Sequence, residues 1–159
     1  MTISSTANRI SYAGNASTTA FSFPYLFFAD NDMVVTIKVN STGVETVKTI
    51  STHYTVTGSG VAAGGTVTMG SAPASGETLI LSRSEQLTQT LDLVENDPFP
   101  SSLVEQQFDT LTMITQQLQE EIDRTLRYPI GDTSGLGAEL DSSVTRANKY
   151  LRFDATGAV

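Results

Sequence analysis

Cysteine and tryptophan are absent from this sequence of 159 residues, and histidine occurs once, at His53. Without cysteine the chain has no disulfide bond, no thiolate nucleophile and no cysteine-ligated metal. Catalysis by a serine–histidine–aspartate triad would depend on His53, which precedes Tyr54 in a predicted strand and has no catalytic motif around it. We therefore interpret His53 as a surface or packing residue, and we expect no catalytic residue, cofactor or bound metal.

Basic residues and long apolar runs are also scarce. Nine Lys and Arg stand against 17 Asp and Glu, and the resulting net charge of −8 repels nucleic acid and anionic membrane surfaces. The most apolar run, Phe21 to Ala29, contains Pro24, is much shorter than a membrane span and follows no basic leader. We expect synthesis in the cytoplasm, no nucleic-acid or membrane partner, and binding to a protein or a neutral molecule.

The first hundred residues have the pattern of an antiparallel β-domain. β-Branched residues alternate with polar ones, and Gly or Asn separates the short runs. The stretch from Asn40 to Gly43 predicts a hairpin turn, because Gly readily adopts a positive φ. We expect a mainly β, sandwich-like domain over residues 1–100. Its predicted strands are Arg9–Tyr12, Ala20–Pro24, Met33–Val39, Val44–Ile50, Tyr54–Thr57, Gly65–Met69 and Thr78–Arg83.

Beyond Pro98 and Pro100 the apolar period changes from 2 to about 3.6, which predicts a long helix from about Ser101 to Arg127. Such a helix would be about 40 Å long, more than a domain of this size needs for packing. Periodicity alone gives equal weight to two interpretations: the helix packs on its own sheet, or its apolar stripe is a seam between identical subunits. The stripe residues are Val104, Phe108, Leu111, Thr115, Leu118 and Ile122.

Residues 128–159 are rich in Gly, Asp, Ser and Ala and cannot build a core by themselves. Within them, Tyr150, Leu151 and Phe153 have the spacing of a short strand that would pair with a neighbour. We interpret this segment as an extended linker that leads to distal domains on a longer chain or on a separate protein.

Two further functions are compatible with the composition. Abundant carboxylates, including Glu95 and Asp97, motivate a hydrolase fragment, although solvated surface charge explains them better. Exposed aromatic rings stack on sugars, so the aromatic residues motivate a carbohydrate-binding β-module, although we expect most of these rings in the core. The aromatic residues concerned are Tyr12, Tyr25, Phe27, Phe28 and Tyr54.

Several short stretches, in their shared order, resemble a known family. The first reads FSFPYLFFADNDMVV and the last reads LTMITQQLQE. The stretches are Phe21–Val35, His53–Gly58, Gly64–Thr68, Gly76–Arg83, Leu87–Gln89, Glu95–Pro100 and Leu111–Glu120. Together they resemble the N-terminal virion-anchoring domain of tail fibre and tailspike proteins from short-tailed bacteriophages, over roughly residues 1–127.

The resemblance implies a non-enzymatic structural protein of the virion. Domains of this family fasten a trimeric fibre or spike to the phage tail, and distal domains bind or cleave the host's surface polysaccharide. It implies that the chain forms a homotrimer, that residues 101–127 are the trimerising helix, and that the partners are tail tube or adaptor proteins and distal spike domains.

A tail-contact surface is also predicted from the residues themselves. The run Thr66, Val67, Thr68 and Met69 is nearly uncharged and rich in Thr. If this run lies at the edge of a sheet, its backbone donors and acceptors are free for strand addition onto a tail protein.

Overall fold

The computed structural model describes residues 3, 5–89, 91–95 and 98–125. It divides the chain into two compact units, Met1–Asp123 and Arg124–Val159. The described part contains seven β-strands and one long helix, which confirms the expected mainly β fold with a helix after it. The predicted linker over residues 128–159 lies outside the described residues.

The elements follow one another along the chain in the predicted order. No helix in the described ranges is long and apolar enough to cross a membrane. The elements are β1 (Arg9–Ala13), β2 (Ala20–Phe23), a 3-10 helix (Asp30–Asp32), β3 (Met33–Val39), β4 (Glu45–Val47), β5 (Tyr54–Thr57), β6 (Gly65–Met69), β7 (Glu77–Arg83) and α1 (Ser101–Asp123).

Four strands form the first sheet, in the order β1-β7-β3-β4, and all neighbours are antiparallel. Strand β7 lies second in this order, between β1 and β3. Its Leu81 pairs with Ile10 on one side and with Val35 on the other. Leu79 and Leu81 are both fully buried, because alternate residues of a strand point to the same face. This face of the sheet therefore carries the core.

Three strands form the second sheet, in the order β2-β6-β5, again antiparallel. Strand β6 is its centre, and Val67 pairs with Phe21 of β2 and with Val56 of β5. Buried side chains from both sheets form one hydrophobic cluster. In that cluster Phe23 packs edge-on against Phe27, with ring centroids 6.0 Å apart. The two sheets thus enclose one core, as expected of a sandwich.

The predicted edge at Thr66, Val67, Thr68 and Met69 is wrong. These residues lie in β6, and β2 and β5 hydrogen-bond to β6 from its two sides. A strand that is paired on both sides has no free backbone groups for strand addition. Hydrophobic alternation predicts that a strand exists, but it does not predict the neighbours of that strand.

Two predicted boundaries are wrong by three or more residues, whereas β1, β2 and β7 each differ by one residue at one end. Strand β4 covers Glu45–Val47 rather than Val44–Ile50. All three of its residues are exposed, so no buried face extends the strand. The chain turns after Ile50, which forms an isolated bridge with Tyr54. Helix α1 ends at Asp123, four residues before the expected end at Arg127. Leu126 and Arg127 lie outside the described residues. The turn at Asn40–Gly43 is confirmed, with Gly43 at φ +73°.

Gly64 is a position where only glycine fits. Its φ is +79°, and a Cβ atom added to it would overlap the carbonyl oxygen of Phe23. Gly60 has a similar φ of +74°, but a Cβ atom there would meet nothing within 4 Å. The two glycines therefore separate the cost of a left-handed backbone from the cost of steric overlap.

We predict that Gly64→Ala lowers the free energy of unfolding by about 2–4 kcal/mol, whereas Gly60→Ala lowers it by about 1 kcal/mol. Both variants force a side chain into the left-handed region, and only the first also pushes against β2. Urea denaturation of the two variants and the wild type measures the difference. Equal losses would show that the contact between Gly64 and Phe23 is not tight.

Candidate assembly surface on helix α1

The apolar stripe of α1 faces away from the β-domain. Phe108 is 65% exposed, Leu111 51% and Leu118 45%, and Ile122 is similarly exposed. Val104 is half-buried and Thr115 is exposed. The predicted stripe residues therefore lie together on one face, and about half of the surface of its four large apolar side chains is exposed on the single chain. Thr115 borders an open cleft that is also lined by residues 6–9.

The opposite face of α1 packs on the β-domain. Met113 is fully buried, and at 3.6 residues per turn it lies about 180° around the helix from Val104. Beside it, Asp109 is buried and its Oδ1 accepts a hydrogen bond of 3.3 Å from the backbone N–H of Ile3. Arg9 forms an ion pair of 3.1 Å with Glu120 further along the same face.

Polar side chains hold this face in place. Arg83, at the end of β7, donates from Nη1 to the carbonyl oxygen of Leu26 at 2.6 Å and from Nη2 to Oε1 of Gln116 at 2.9 Å. The N–H of Glu85 donates to Oε1 of Gln117 at 2.9 Å. Gln116 in turn donates to the carbonyl oxygen of Ser5. We call Asp32, Arg83, Glu85, Gln116 and Gln117 the Arg83 cluster.

Burial in the Arg83 cluster disfavours the charged forms of its two carboxyl groups and of the guanidinium. Burial, and then the negative charge of Asp32, raise the pKa of Glu85 to about 7, although Arg83 opposes the shift. Burial also raises the pKa of Asp32, against hydrogen bonds from the N–H groups of Ala29 and Phe28 and against the charge of Arg83. Burial lowers the pKa of the Arg83 guanidinium. Each shift follows from removing a charge from water.

Helix α1 is thus amphipathic in the opposite sense to an ordinary surface helix. A surface helix usually buries its apolar stripe on its own domain and exposes its polar face. Here Gln116, Gln117 and Asp109 contact the domain around Met113, and the apolar stripe is exposed. The prediction that the helix packs on its own domain describes the docked face, and the seam between identical subunits stays a prediction for the exposed face.

Thr115 is the polar member of the apolar stripe. Its Oγ1 donates to the carbonyl oxygen of Leu111, one turn earlier, at 2.9 Å. The hydroxyl is therefore satisfied within the helix, and the side chain can be buried without leaving an unpaired donor. Thr115 is compatible with a buried seam.

Apolar exposure continues into the segment that precedes α1. Between β7 and α1, four large apolar side chains are more than half exposed. They are Leu87, Leu93, Val94 and Phe99. Most of the exposed large apolar residues of the described chain thus lie in this segment and in α1, whereas the sandwich contributes only Val44, Val47 and Val61. Concentrated apolar exposure of this kind marks an interaction surface.

The aromatic residues that motivated a carbohydrate site are divided between core and surface. Phe27 and Tyr54 are buried, and the Tyr54 hydroxyl donates to the carbonyl oxygen of Met33. Tyr12, Tyr25 and Phe28 are half-buried. The Tyr12 ring lies 5.2 Å from that of Phe21. Three of the five rings are therefore at least partly accessible.

His53 is exposed at one end of the sandwich. Its Nδ1 accepts a hydrogen bond of 3.1 Å from the N–H of Thr49, and it lines an open cleft of about 420 Å³ with Lys48 and Glu77. The cleft is also lined by Ile37 and Met69 and by the small residues of the turn at 70–73. Among the described residues no group of three or more His, Asp and Glu side chains is placed to hold a metal ion.

The sequence interpretation missed the Arg83 cluster, although one signal for it was present. In β7 the buried residues are Leu79, Leu81 and Arg83, so the period of two places an arginine on the core side of a strand. A buried charge requires a partner, and that requirement predicts a carboxylate or amide from another element. Which element supplies the partner depends on tertiary packing.

Comparison with known proteins shows that the chain is similar to a phage tailspike protein. It is 35% identical over 130 residues to the tail spike protein of Salmonella phage epsilon15. The match covers 81% of this chain and 12% of that protein, so the chain spans about an eighth of the length of this relative. No family model matches the chain. The expected resemblance to tailspike proteins is confirmed, and a structural role in the phage tail is supported.

We predict that Met113→Ala lowers the free energy of unfolding of the single chain by about 2–4 kcal/mol, because Met113, on the docked face of α1, is fully buried. Leu118→Ala, on the exposed face, should change it by less than about 0.5 kcal/mol when the chain is diluted to its monomeric state. Chemical denaturation at low protein concentration measures both. A larger loss for Leu118→Ala would mean that the buried face is assigned incorrectly.

Proposed function

We propose that this chain is the non-enzymatic part of a tailspike or tail fibre that anchors it to the phage tail, and that three copies associate along α1. The proposal rests on one observation, the outward-facing apolar stripe of a helix whose polar face is already occupied by its own domain. The similarity to a tail spike protein supports it.

Burial of the apolar stripe supplies a driving force for association. A large apolar side chain contributes about 1.5–3 kcal/mol when it is removed from water. Phe108, Leu111 and Leu118 are each about half exposed or more, and three identical helices would cover all of them in one seam. Because the stripe repeats at alternating spacings of four and three residues, it stays in line with a neighbouring helix over several turns.

A threefold arrangement suits the placement of the β-domain. Met113 and Val104 lie on opposite sides of α1, so a helix that directs its stripe toward a common axis directs its own sandwich away from that axis. In this arrangement the three sandwiches lie on the outside of the helical bundle. Leu103, which is 52% exposed, widens the apolar surface beyond a narrow two-helix seam and favours three strands.

In this proposal the chain has two kinds of protein partner besides its own copies. The sandwich and the segment before α1 contact tail tube or adaptor proteins, and distal spike or fibre domains follow the helix. The match covers 12% of the relative, which leaves room there for such distal parts. Binding to the host's surface polysaccharide is assigned to those distal parts, and the chain itself is located in the virion tail.

A carbohydrate-binding β-module is the alternative. Three half-buried rings, Tyr12, Tyr25 and Phe28, favour it, because sugars stack on accessible aromatic faces. The alternative predicts saccharide binding by the isolated chain and loss of that binding in Tyr25→Ala. The anchoring role predicts binding to tails and no dependence on saccharide.

We predict that the wild-type chain binds phage particles assembled without their spikes and blocks subsequent addition of the full-length spike. The double variant Leu111→Asp with Leu118→Asp should bind at least about tenfold more weakly, because charges in the seam prevent trimerisation and remove multivalent attachment. Sedimentation of labelled chain with the particles measures the bound fraction.

The matched control is Val44→Asp with Val47→Asp. These valines are 57% and 67% exposed, Val47 on β4 and Val44 just before it, both outside the stripe, so the same charge change should leave the trimer intact when the mass is measured by light scattering. Absence of binding by the wild-type chain would contradict the anchoring role. Full binding by a monomeric stripe variant would contradict the need for the trimer.

A further inference from the structure

We propose that the Arg83 cluster is a proton-operated latch that holds α1 on the β-sandwich and loosens when Glu85 loses its proton. The latch is a property of the single chain, and it goes beyond the proposed anchoring role.

The cluster joins the helix to the sandwich at one place. Asp32 comes from the 3-10 helix, Arg83 and Glu85 come from the end of β7 and the residues after it, and Gln116 and Gln117 come from α1. Two hydrogen bonds cross between them, Arg83 Nη2 to Gln116 and the N–H of Glu85 to Gln117. Release of α1 therefore opens the cluster to water.

The cluster is short of positive charge. Two buried carboxyl groups, of Asp32 and Glu85, share one guanidinium. Nη1 of Arg83 donates to the carbonyl oxygen of Leu26 and Nη2 donates to Gln116. The Nε of Arg83 is 3.7 Å from Glu85 Oε1. That oxygen has no hydrogen-bond partner among the described residues. An ionised Glu85 is therefore poorly compensated, whereas a protonated Glu85 removes the excess charge.

Helix α1 supplies no positive charge to offset the negative charge of the cluster, because its ionisable residues are all acidic. The helix presents two neutral amides, Gln116 and Gln117, to the cluster. The titratable groups on its docked face, Asp109 and Glu120, contact Ile3 and Arg9 respectively. The pH dependence of α1 docking is therefore set by Asp32, Arg83 and Glu85.

The direction of the pH dependence follows from burial. The pKa of Glu85 is raised to about 7 in the docked state, chiefly by burial and then by Asp32, from an ordinary value of 4.5. A group that binds its proton more tightly in the docked state favours docking at low pH. The stabilisation is fully present below the ordinary pKa and is lost as pH rises through about 7.

The test is hydrogen exchange of the Glu85 amide, followed by NMR and corrected for the intrinsic exchange rate at each pH. This N–H donates to Gln117 across the latch, so its protection reports opening whether or not the chain is a trimer. Between pH 5 and pH 8 we expect its protection to fall by up to about 100-fold in the wild type. Glu85→Gln, which is neutral at every pH, should show no such fall.

Two further variants complete the test. Glu45→Gln makes the same change on exposed β4 and should keep the wild-type profile. Asp32→Asn removes the repelling charge and should move the midpoint to lower pH. A flat wild-type profile, an equal fall in Glu85→Gln, or an unchanged midpoint in Asp32→Asn would each overturn the latch. If Glu85→Gln does not fold, the wild-type profile and the Asp32→Asn midpoint still decide.

Discussion

The contacts of Arg83 with Gln116 and of the Glu85 N–H with Gln117 determine which way the helix faces. They draw the polar side of the helix onto the sandwich around the fully buried Met113, and the apolar stripe is then directed outward. A helix with the reverse orientation would bury Phe108 and Leu111 on its own sheet and would leave nothing for a neighbour. The exposed surface from which we infer association is thus a consequence of a polar interaction on the other side of the same helix.

The strands were predictable because their side chains alternate between a buried and an exposed face. Met33–Val39 and Tyr54–Thr57 have the bounds expected from the sequence. Val44–Ile50 was too long because the alternation there has no buried face to support it. The central position of β6 was not predictable from Thr66–Met69, since strand order depends on contacts between residues distant in sequence.

The stripe on α1 was predictable from its spacing, and the docked face was not. Periodicity identifies which residues share a face, but it does not state what that face meets. The placement of Gln116 against Arg83 joins residues 33 positions apart, and the contact of Asp109 with Ile3 joins residues 106 positions apart. These pairings arise only once the sandwich has folded, so reading a single sequence locally does not find them.

The most direct test of the outward-facing seam is disulfide cross-linking. The chain has no native cysteine, so every disulfide that forms involves the introduced residue. Leu118→Cys lies in the apolar stripe, and Glu121→Cys lies on an exposed part of the same helix outside it. Mild oxidation at micromolar concentration, followed by denaturing electrophoresis, should yield covalent dimers from Leu118→Cys and almost none from Glu121→Cys. Monomers from both variants, or equal cross-linking of both, would contradict association through this stripe.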